Sequence, residues 1–311
     1  MGLFQIVRPL KLDDVVGNKA VVASLRSFTK IAFDVRPHTY MFSGPSGCGK
    51  TTLARILANE FGCQNMDFVE HDAGSDSGVD AMRQIVQNAQ FSPLSGASRV
   101  FLLDEVHDLS KQAFDTLLKV LEDTPTHTYF FLCTTNLVKV PTTIKTRCTS
   151  FAVQPLSNDD MGFLVERTLY QLNRELGNNA FTAIIKASGG CPRQAITDLE
   201  RALTVDTEAH QMELLQDIVT EVNAVELCRA LLNGATFGEI IKLYKRLPAT
   251  EAESCRRVIL GYMKQVILKG GGQKALVAGK IISIFRHNYF DSAEAGLLSD
   301  FYLTSTPNGR K

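Results

Sequence analysis

Between residues 44 and 51 the chain reads Gly-Pro-Ser-Gly-Cys-Gly-Lys-Thr, the pattern G-x-x-x-x-G-K-[ST]. No other feature limits the fold as tightly. The glycines let backbone N–H groups point into a concave loop, and the closing lysine and hydroxyl add a cation and an oxygen donor. Such a loop needs a strand before it and a helix after it, because the positive end of the helix dipole faces the same hollow. The flanks meet both needs. Tyr40-Met41-Phe42 is an apolar run, and Leu53, Ile56 and Leu57 recur at helical spacing within Thr52–Asn59. The expected ligand is ATP, bound by Gly44, Pro45, Ser46, Gly47, Cys48, Gly49, Lys50, Thr51 and Thr52. Lys50 would reach the β- and γ-phosphates, and the Thr51 hydroxyl would hold Mg²⁺.

Val100-Phe101-Leu102-Leu103 followed by Asp104-Glu105 supplies a second half-site. A buried strand there releases two carboxylates at its C-terminal end, where ligands of α/β sheets bind. Asp104 would hold Mg²⁺ through water, and Glu105 would orient or deprotonate the attacking water. The further strand candidates are His38–Ser43, Asp67–His71, Tyr129–Thr134 and Ser150–Val153, alternating with helical stretches such as Gln112–Leu121. This alternation predicts a parallel five-stranded sheet covered by helices.

Strand candidates stop near Val153, and the rest reads as helix. Ser157 followed by Asp160 resembles a capping box opening a helix to about Leu172. Further helices cover Ala180–Ala187 and begin near Pro192, and four or five more run from Glu213 to Tyr302, broken at Gly234, Pro248, Gly270-Gly271-Gly272 and Asn288. Val258, Ile259, Tyr262, Met263, Val266 and Ile267 form a broad apolar stripe that needs a partner, in its own domain or in a neighbouring subunit. The expected plan is an α/β core at 1–156, a helical lid at 157–208, an all-helical domain at 209–304 and a loose tail at 305–311.

At 311 residues, 45% hydrophobic and 21% charged, the chain suits two or three globular domains. No apolar run approaches the roughly 18 residues that span a bilayer, the N-terminus MGLFQIVRPL lacks a signal-peptide layout, and the seven cysteines are scattered without metal-ligand spacing. A cytoplasmic protein with no membrane partner is expected. Net charge is zero, but residues 242–286 carry 10 basic and 2 acidic side chains after 6 and 13 over 157–241. Solvated helix faces are the plain reading of that polarity, and attraction of an acidic partner is the sharper one.

Asp104-Glu105-Val106-His107-Asp108-Leu109-Ser110 and the helix after it resemble the sliding-clamp loader ATPases of the AAA+ class, notably the bacterial DNA polymerase III gamma/tau subunit and the small subunits of replication factor C. The similarity covers roughly residues 8–205, through Arg8-Pro9, Val15-Val16-Gly17, Leu117–Glu122, Thr134-Thr135-Asn136, Thr146-Arg147-Cys148 and Gly190–Arg193. It implies an AAA+ P-loop core, a helical lid and a helical collar that oligomerises. Pro9, Val15 and Val16 would line the adenine pocket. Thr135, with Asn136 adjacent, would sense the γ-phosphate, and Arg193 would contact phosphate as a second sensor. Arg147 would project as a finger into the ATP site of the next subunit.

Three departures stand out. Thr146 replaces the usual serine before the finger, Gly-Cys-Pro-Arg differs from the commoner sensor composition, and only Cys63 lies where gamma/tau carries four zinc ligands. A compact, zinc-free subunit of a phage or a streamlined genome fits that description.

The implied activity is ATP hydrolysis that opens a sliding clamp and places it on primer–template DNA, within a homo- or hetero-oligomeric ring of pentameric plan. Helix N-termini at Ser77, Gly78 and Arg83, and at Ser110 and Lys111, match segments that track DNA phosphates, although Ser77 and Ser110 read equally as ordinary helix caps. The alternatives are another AAA+ DNA motor, such as a Holliday-junction branch-migration ATPase, and a non-hydrolysing loader scaffold.

Overall fold

A computed structural model describes residues 2–247, 252–270, 272–289 and 292–306. The expected break at Pro248, Gly271 of the glycine triplet and residues 307–311 of the tail lie outside the described residues.

The chain opens with a short helix α1 (Leu3–Ile6) and α2 (Lys19–Thr29). Strands and helices then alternate: β1 (Thr39–Ser43), α3 (Lys50–Glu60), β2 (Cys63–Asp72), α4 (Val79–Asn88), β3 (Ser98–Asp104), α5 (Lys111–Glu122), β4 (Thr128–Thr134), α6 (Thr142–Lys145) and β5 (Thr149–Ala152). The five strands form one parallel sheet in the order β2-β3-β4-β1-β5. The α/β core is therefore as the sequence predicts, with one extension: β2 starts at Cys63 rather than Asp67. Its register against β3 shifts between Cys63 and Phe68, and Gln64, Asn65 and Met66 are exposed on this edge strand, so the apolar signal there is lost.

Every residue of β4 is buried, and so are all but the last of β1 and β3. Period-two alternation sends Tyr40, Phe42, Val100, Leu102, Tyr129 and Phe131 to one face, where they pack with Leu25 of α2 and Leu53, Ile56 and Leu57 of α3. Met41, Phe101, Leu103, Phe130 and Leu132 fill the other face with Met82 and Ile85 of α4, Phe114 and Leu117 of α5 and Ile144 of α6. Helices on both faces are what a parallel sheet of near-continuous apolar strands requires.

No strand follows Ala152 among the described residues. The helices are α7 (Asn158–Leu172), α8 (Asn178–Ala187), α9 (Pro192–Ala202), α10 (Glu208–Leu214), α11 (Gln216–Asn233), α12 (Phe237–Tyr244), α13 (Ala252–Lys269), α14 (Gln273–Ile284) and α15 (Ala293–Ser305). Helix formation thus begins earlier, at Glu208, than the expected Glu213. The Ser157 hydroxyl accepts the Asp160 N–H as an N-cap but itself donates to the Asp160 carboxylate. The full capping box lies instead at Thr236 and Glu239, opening α12.

Two compact units emerge. One runs to Gly177 and resumes over Ile184–Asp206, so it holds the sheet together with α7 and α9. The other comprises Asn178–Ala183 and the chain from Thr207 onward. Its core gathers Leu227, Leu231, Ile240, Ile259, Met263, Ile281, Phe285, Leu297 and Phe301. The apolar stripe of α13 is split. Ile259 and Met263 are fully buried and Tyr262 and Val266 pack beside them, while Val258 and Ile267 remain exposed.

Candidate nucleotide site

Parallel register decides what meets at the carboxyl edge of the sheet. β4 lies between β1 and β3, pairing Ser43 with Thr134 on one side and Leu103 with Leu132 on the other. The loop after β1, the acidic end of β3 and the Thr134-Thr135 end of β4 therefore emerge side by side.

The glycine-rich loop is held by close approach. Gly44 has φ +151°, and a Cβ there would lie 2.1 Å from the Val153 carbonyl oxygen. Gly47 has φ +71°, and its Cβ would lie 2.4 Å from the Cys191 Sγ and 3.2 Å from the Arg193 Cβ. Only glycine fits either position. Helix α3 starts at once on Lys50, which is buried and whose Nζ donates to the carbonyls of Gly44 and Pro45 at 3.0 and 3.1 Å. The Thr51 hydroxyl donates to Asp104 Oδ2 at 2.7 Å, and the Glu105 N–H donates to Asp104 Oδ1 at 2.9 Å.

Glu105 adopts a left-handed backbone with φ +47°. That turns its side chain toward β4, where Oε2 accepts the N–H and the hydroxyl of Thr135 at 3.1 and 3.0 Å. His107 Nδ1 approaches the same oxygen at 3.3 Å and the Thr134 hydroxyl at 3.3 Å, and the Asn136 N–H donates to that hydroxyl at 3.0 Å. Thr51, Asp104, Glu105 and Thr135 thus form one hydrogen-bonded row. Adjacent hard oxygens of Thr51 and Asp104 at the mouth of a backbone cradle suit a divalent cation bound together with phosphate.

A cleft of about 370 Å³ opens over this row. Of the residues expected to bind nucleotide, Pro9, Val15, Val16, Ser46, Gly47, Cys48, Gly49, Lys50, Thr51, Thr52 and Arg193 line it, as do Asp104 and Glu105. Gly44 and Pro45 form the start of the loop instead, with their carbonyls on Lys50. Arg193 enters from the first turn of α9, its N–H donating to the Gly47 carbonyl at 3.4 Å and its guanidinium lying 5.9 Å from the Phe4 ring. Burial, then the nearby Cys191 thiol, pushes the Cys48 thiol above its usual range.

Four charged lining residues carried no expected role: Arg8, Glu70, Asp72 and Arg167. Glu70 is paired with Arg55 of α3, and Arg167 donates to the Asp14 carbonyl at 2.7 Å. Burial, then Arg55, depresses the Arg8 pKa, and Glu70 opposes the effect. The Arg8-Pro9 pair is the one sequence signal that points to Arg8. The others reach the cleft only through tertiary folding.

Arg147 does not line the cleft. It lies two residues before β5, whose Thr149 pairs with Tyr40, so it sits at the amino edge of the sheet, opposite the loop. About six residues of strand, roughly 20 Å, separate that level from Gly44. Its guanidinium pairs with Glu122 and donates to the Thr143 carbonyl.

The two segments expected at DNA are brought together. The Ser110 N–H donates to the Ser77 carbonyl at 3.3 Å, joining the starts of α4 and α5. Ser110 caps α5 by accepting the Ala113 N–H at 3.2 Å. The cap of α4 is Gly78 rather than Ser77, and the Asp76 carboxylate accepts the Gly78 N–H at 3.1 Å. Lys111 is exposed, and Arg83 is paired with Asp80 at 2.7 Å.

A family profile described as DNA polymerase III, delta subunit, matches residues 65–157. Among curated relatives, the DNA polymerase III subunit gamma/tau of Mycobacterium bovis is 32% identical over 272 residues, covering 77% of this chain and 46% of the relative. The subunit gamma of Buchnera aphidicola subsp. Baizongia pistaciae is 32% identical, covering 64% of this chain and 59% of the relative. The subunit tau of Bacillus subtilis is 29% identical, with 74% and 45% covered. The chain therefore spans about half the length of the curated relatives it matches. Among solved structures, the Thermotoga maritima RuvB Holliday junction branch migration motor superposes with a TM-score of 0.59 at 19% identity, covering 79% of this chain and 87% of the other.

Proposed function

We propose that this chain, similar in sequence to the DNA polymerase III gamma/tau subunits, is an AAA+ protein and an ATP-hydrolysing motor subunit of a sliding-clamp loader. The observation that carries the reading is the row Thr51–Asp104–Glu105–Thr135 beneath a glycine-built cradle. A phosphate-binding fold alone needs only the cradle. A hydrolase also needs a carboxylate to direct water at the γ-phosphate, and Glu105, held by Thr135 on the cleft wall, is our candidate for it.

In this reading the loop N–H groups and Lys50 bind the β- and γ-phosphates, Pro9, Val15 and Val16 flank the adenine, and Arg193 brings the lid at 157–208 onto the phosphates. Thr51 and Asp104 would hold Mg²⁺, which would supply charge neutralisation at the terminal phosphate. Glu105 orients and deprotonates water, and Thr135, with Asn136 beside it, couples that carboxylate to the γ-phosphate. Arg147 stands roughly 20 Å of sheet from its own loop and so serves a neighbouring subunit. Residues 209–304 act as the collar of a ring, pentameric in plan, and the exposed Val258 and Ile267 suit that role. The joined N-termini at Ser77–Gly78 and Ser110–Lys111, with Arg83 nearby, offer N–H groups and cations to duplex phosphates without reading bases.

The likeness to RuvB supports the fold of a branch-migration motor as a second reading. The sequence relatives favour the loader, and a non-hydrolysing scaffold leaves Glu105 and Arg147 without use. One measurement separates all three. ATPase activity of the assembled protein should rise with primed DNA and a sliding clamp added together. Turnover driven by four-way junctions instead would establish the second reading, and no turnover under any condition the scaffold.

A further inference from the structure

The chain just after α1 crosses the cleft with a charged side chain that the protein itself does not satisfy. Helix α1 is docked on the lid: the Leu3 N–H donates to Glu200 of α9 at 3.0 Å, and the Leu3 side chain is buried. Phe4, Val7, Arg8 and Pro9 then contribute to the cleft wall. Among the described residues, no hydrogen bond or ion pair engages the Arg8 guanidinium. Its neighbourhood is not neutral toward it. Arg55 and Arg193 stand close enough to oppose its charge, together with partial burial. The two carboxylates nearby are already engaged, Glu70 by Arg55 and Asp104 by the Thr51 hydroxyl and the Glu105 N–H.

A half-buried guanidinium has five donors and no acceptor. Those of Arg8 are not sealed in the interior but face the cleft, where they remain open to a ligand, and the nearby like charges disfavour leaving the cation without a counter-charge. The group that suits them is an anion inside the cleft, near Asp104 and Arg193, the phosphate end in the nucleotide-site reading. The planar fork of arginine matches two phosphate oxygens at once, as a lysine cannot.

We propose that Arg8 is a phosphate-binding residue of the nucleotide site, gripping the polyphosphate from the N-terminal segment while Lys50 and Arg193 grip it from the loop and the lid. The inference rests on the nucleotide-site reading above and deepens it. With α1 fixed to α9 through Leu3 and Glu200, loss of the terminal phosphates would release the N-terminal segment and the lid together.

The test is equilibrium binding of ATP, ADP and adenosine to the full-length chain by calorimetry, for wild type, Arg8→Ala, Arg8→Lys and Lys50→Ala. Arg8→Ala should weaken ATP and ADP about tenfold to thirtyfold while adenosine changes less than about twofold, and Arg8→Lys should recover only part of the loss. Circular dichroism and the thermal midpoint check that each variant is folded. Unchanged ATP affinity in Arg8→Ala, with Lys50→Ala impaired, would overturn the role of Arg8 alone. Equal loss of ATP and adenosine would overturn it too, marking Arg8 as packing for the adenine wall. Failure of the wild type to bind ATP would remove the nucleotide-site reading as well.

Discussion

Asp67 illustrates how much one side chain can organise. Fully buried, it accepts the N–H groups of Leu94, Ser95 and Gly96 at 2.6, 2.9 and 2.8 Å and lies 3.5 Å from Arg99. Burial alone would raise its pKa, but the three amides outweigh burial and hold it down at about 2. The folded value lies below the unfolded one, so this contribution is complete above about pH 4 and is lost as pH falls toward 2. Asp67→Asn should lower stability at pH 7 by on the order of 2 kcal/mol. Its urea midpoint should also depend less on pH between 4 and 2 than that of the wild type. The thiols give a second test at this scale. Burial drives Cys63 up to about 11 and Cys148, Cys228 and Cys255 up to about 12, so all four stay protonated in neutral buffer. Alkylation of the native chain by iodoacetamide at pH 8 should spare them, and modification on the time scale of free cysteine would refute the burial.

Elements were legible where their signal is local. The loop at Gly44–Thr51 declares itself because its function is a backbone shape that glycine positions encode directly. β1, β3 and β4 declare themselves because near-complete burial gives each an unbroken apolar run, Tyr40–Phe42, Val100–Leu103 and Tyr129–Cys133. β2 was half hidden, since an edge strand with a register shift carries polar Gln64 and Asn65. Arg8, Glu70 and Arg167 could not be assigned, because each reaches the cleft by folding and not by spacing. The contact between the loop and α9 was equally invisible, yet it is open to test. Gly47→Ala must adopt φ +71° and displace the Cys191 Sγ from 2.4 Å. ATP affinity should fall at least tenfold, given a left-handed penalty of about 1–2 kcal/mol. Adding Cys191→Ala should restore the steric part of the loss and leave the conformational part. No recovery would show that Cys191 does not press on the loop.

For the whole molecule, residue spacing carries no measure of distance between the two ends of the sheet, which is why the finger is assigned only by resemblance. The structure sets Arg147 and the loop on opposite edges of the same layer. If Arg147 acts on a neighbour, a mixture of Arg147→Ala and Lys50→Ala chains should regain turnover that neither shows alone, because some junctions pair an intact arginine with an intact loop. Turnover no greater than the sum of the separate variants would rule that out.

If Arg147 serves a neighbour's cradle as proposed, the same opposition of edges also fixes a count. A molecule with a donor edge and an acceptor edge associates head to tail, and such a contact either closes on itself or leaves two unequal ends. In an unclosed spiral of such subunits, competent catalytic centres number one fewer than chains. One arginine at the first end and one cradle at the last would then stay idle, and the gap between them would be the doorway through which a duplex could enter sideways.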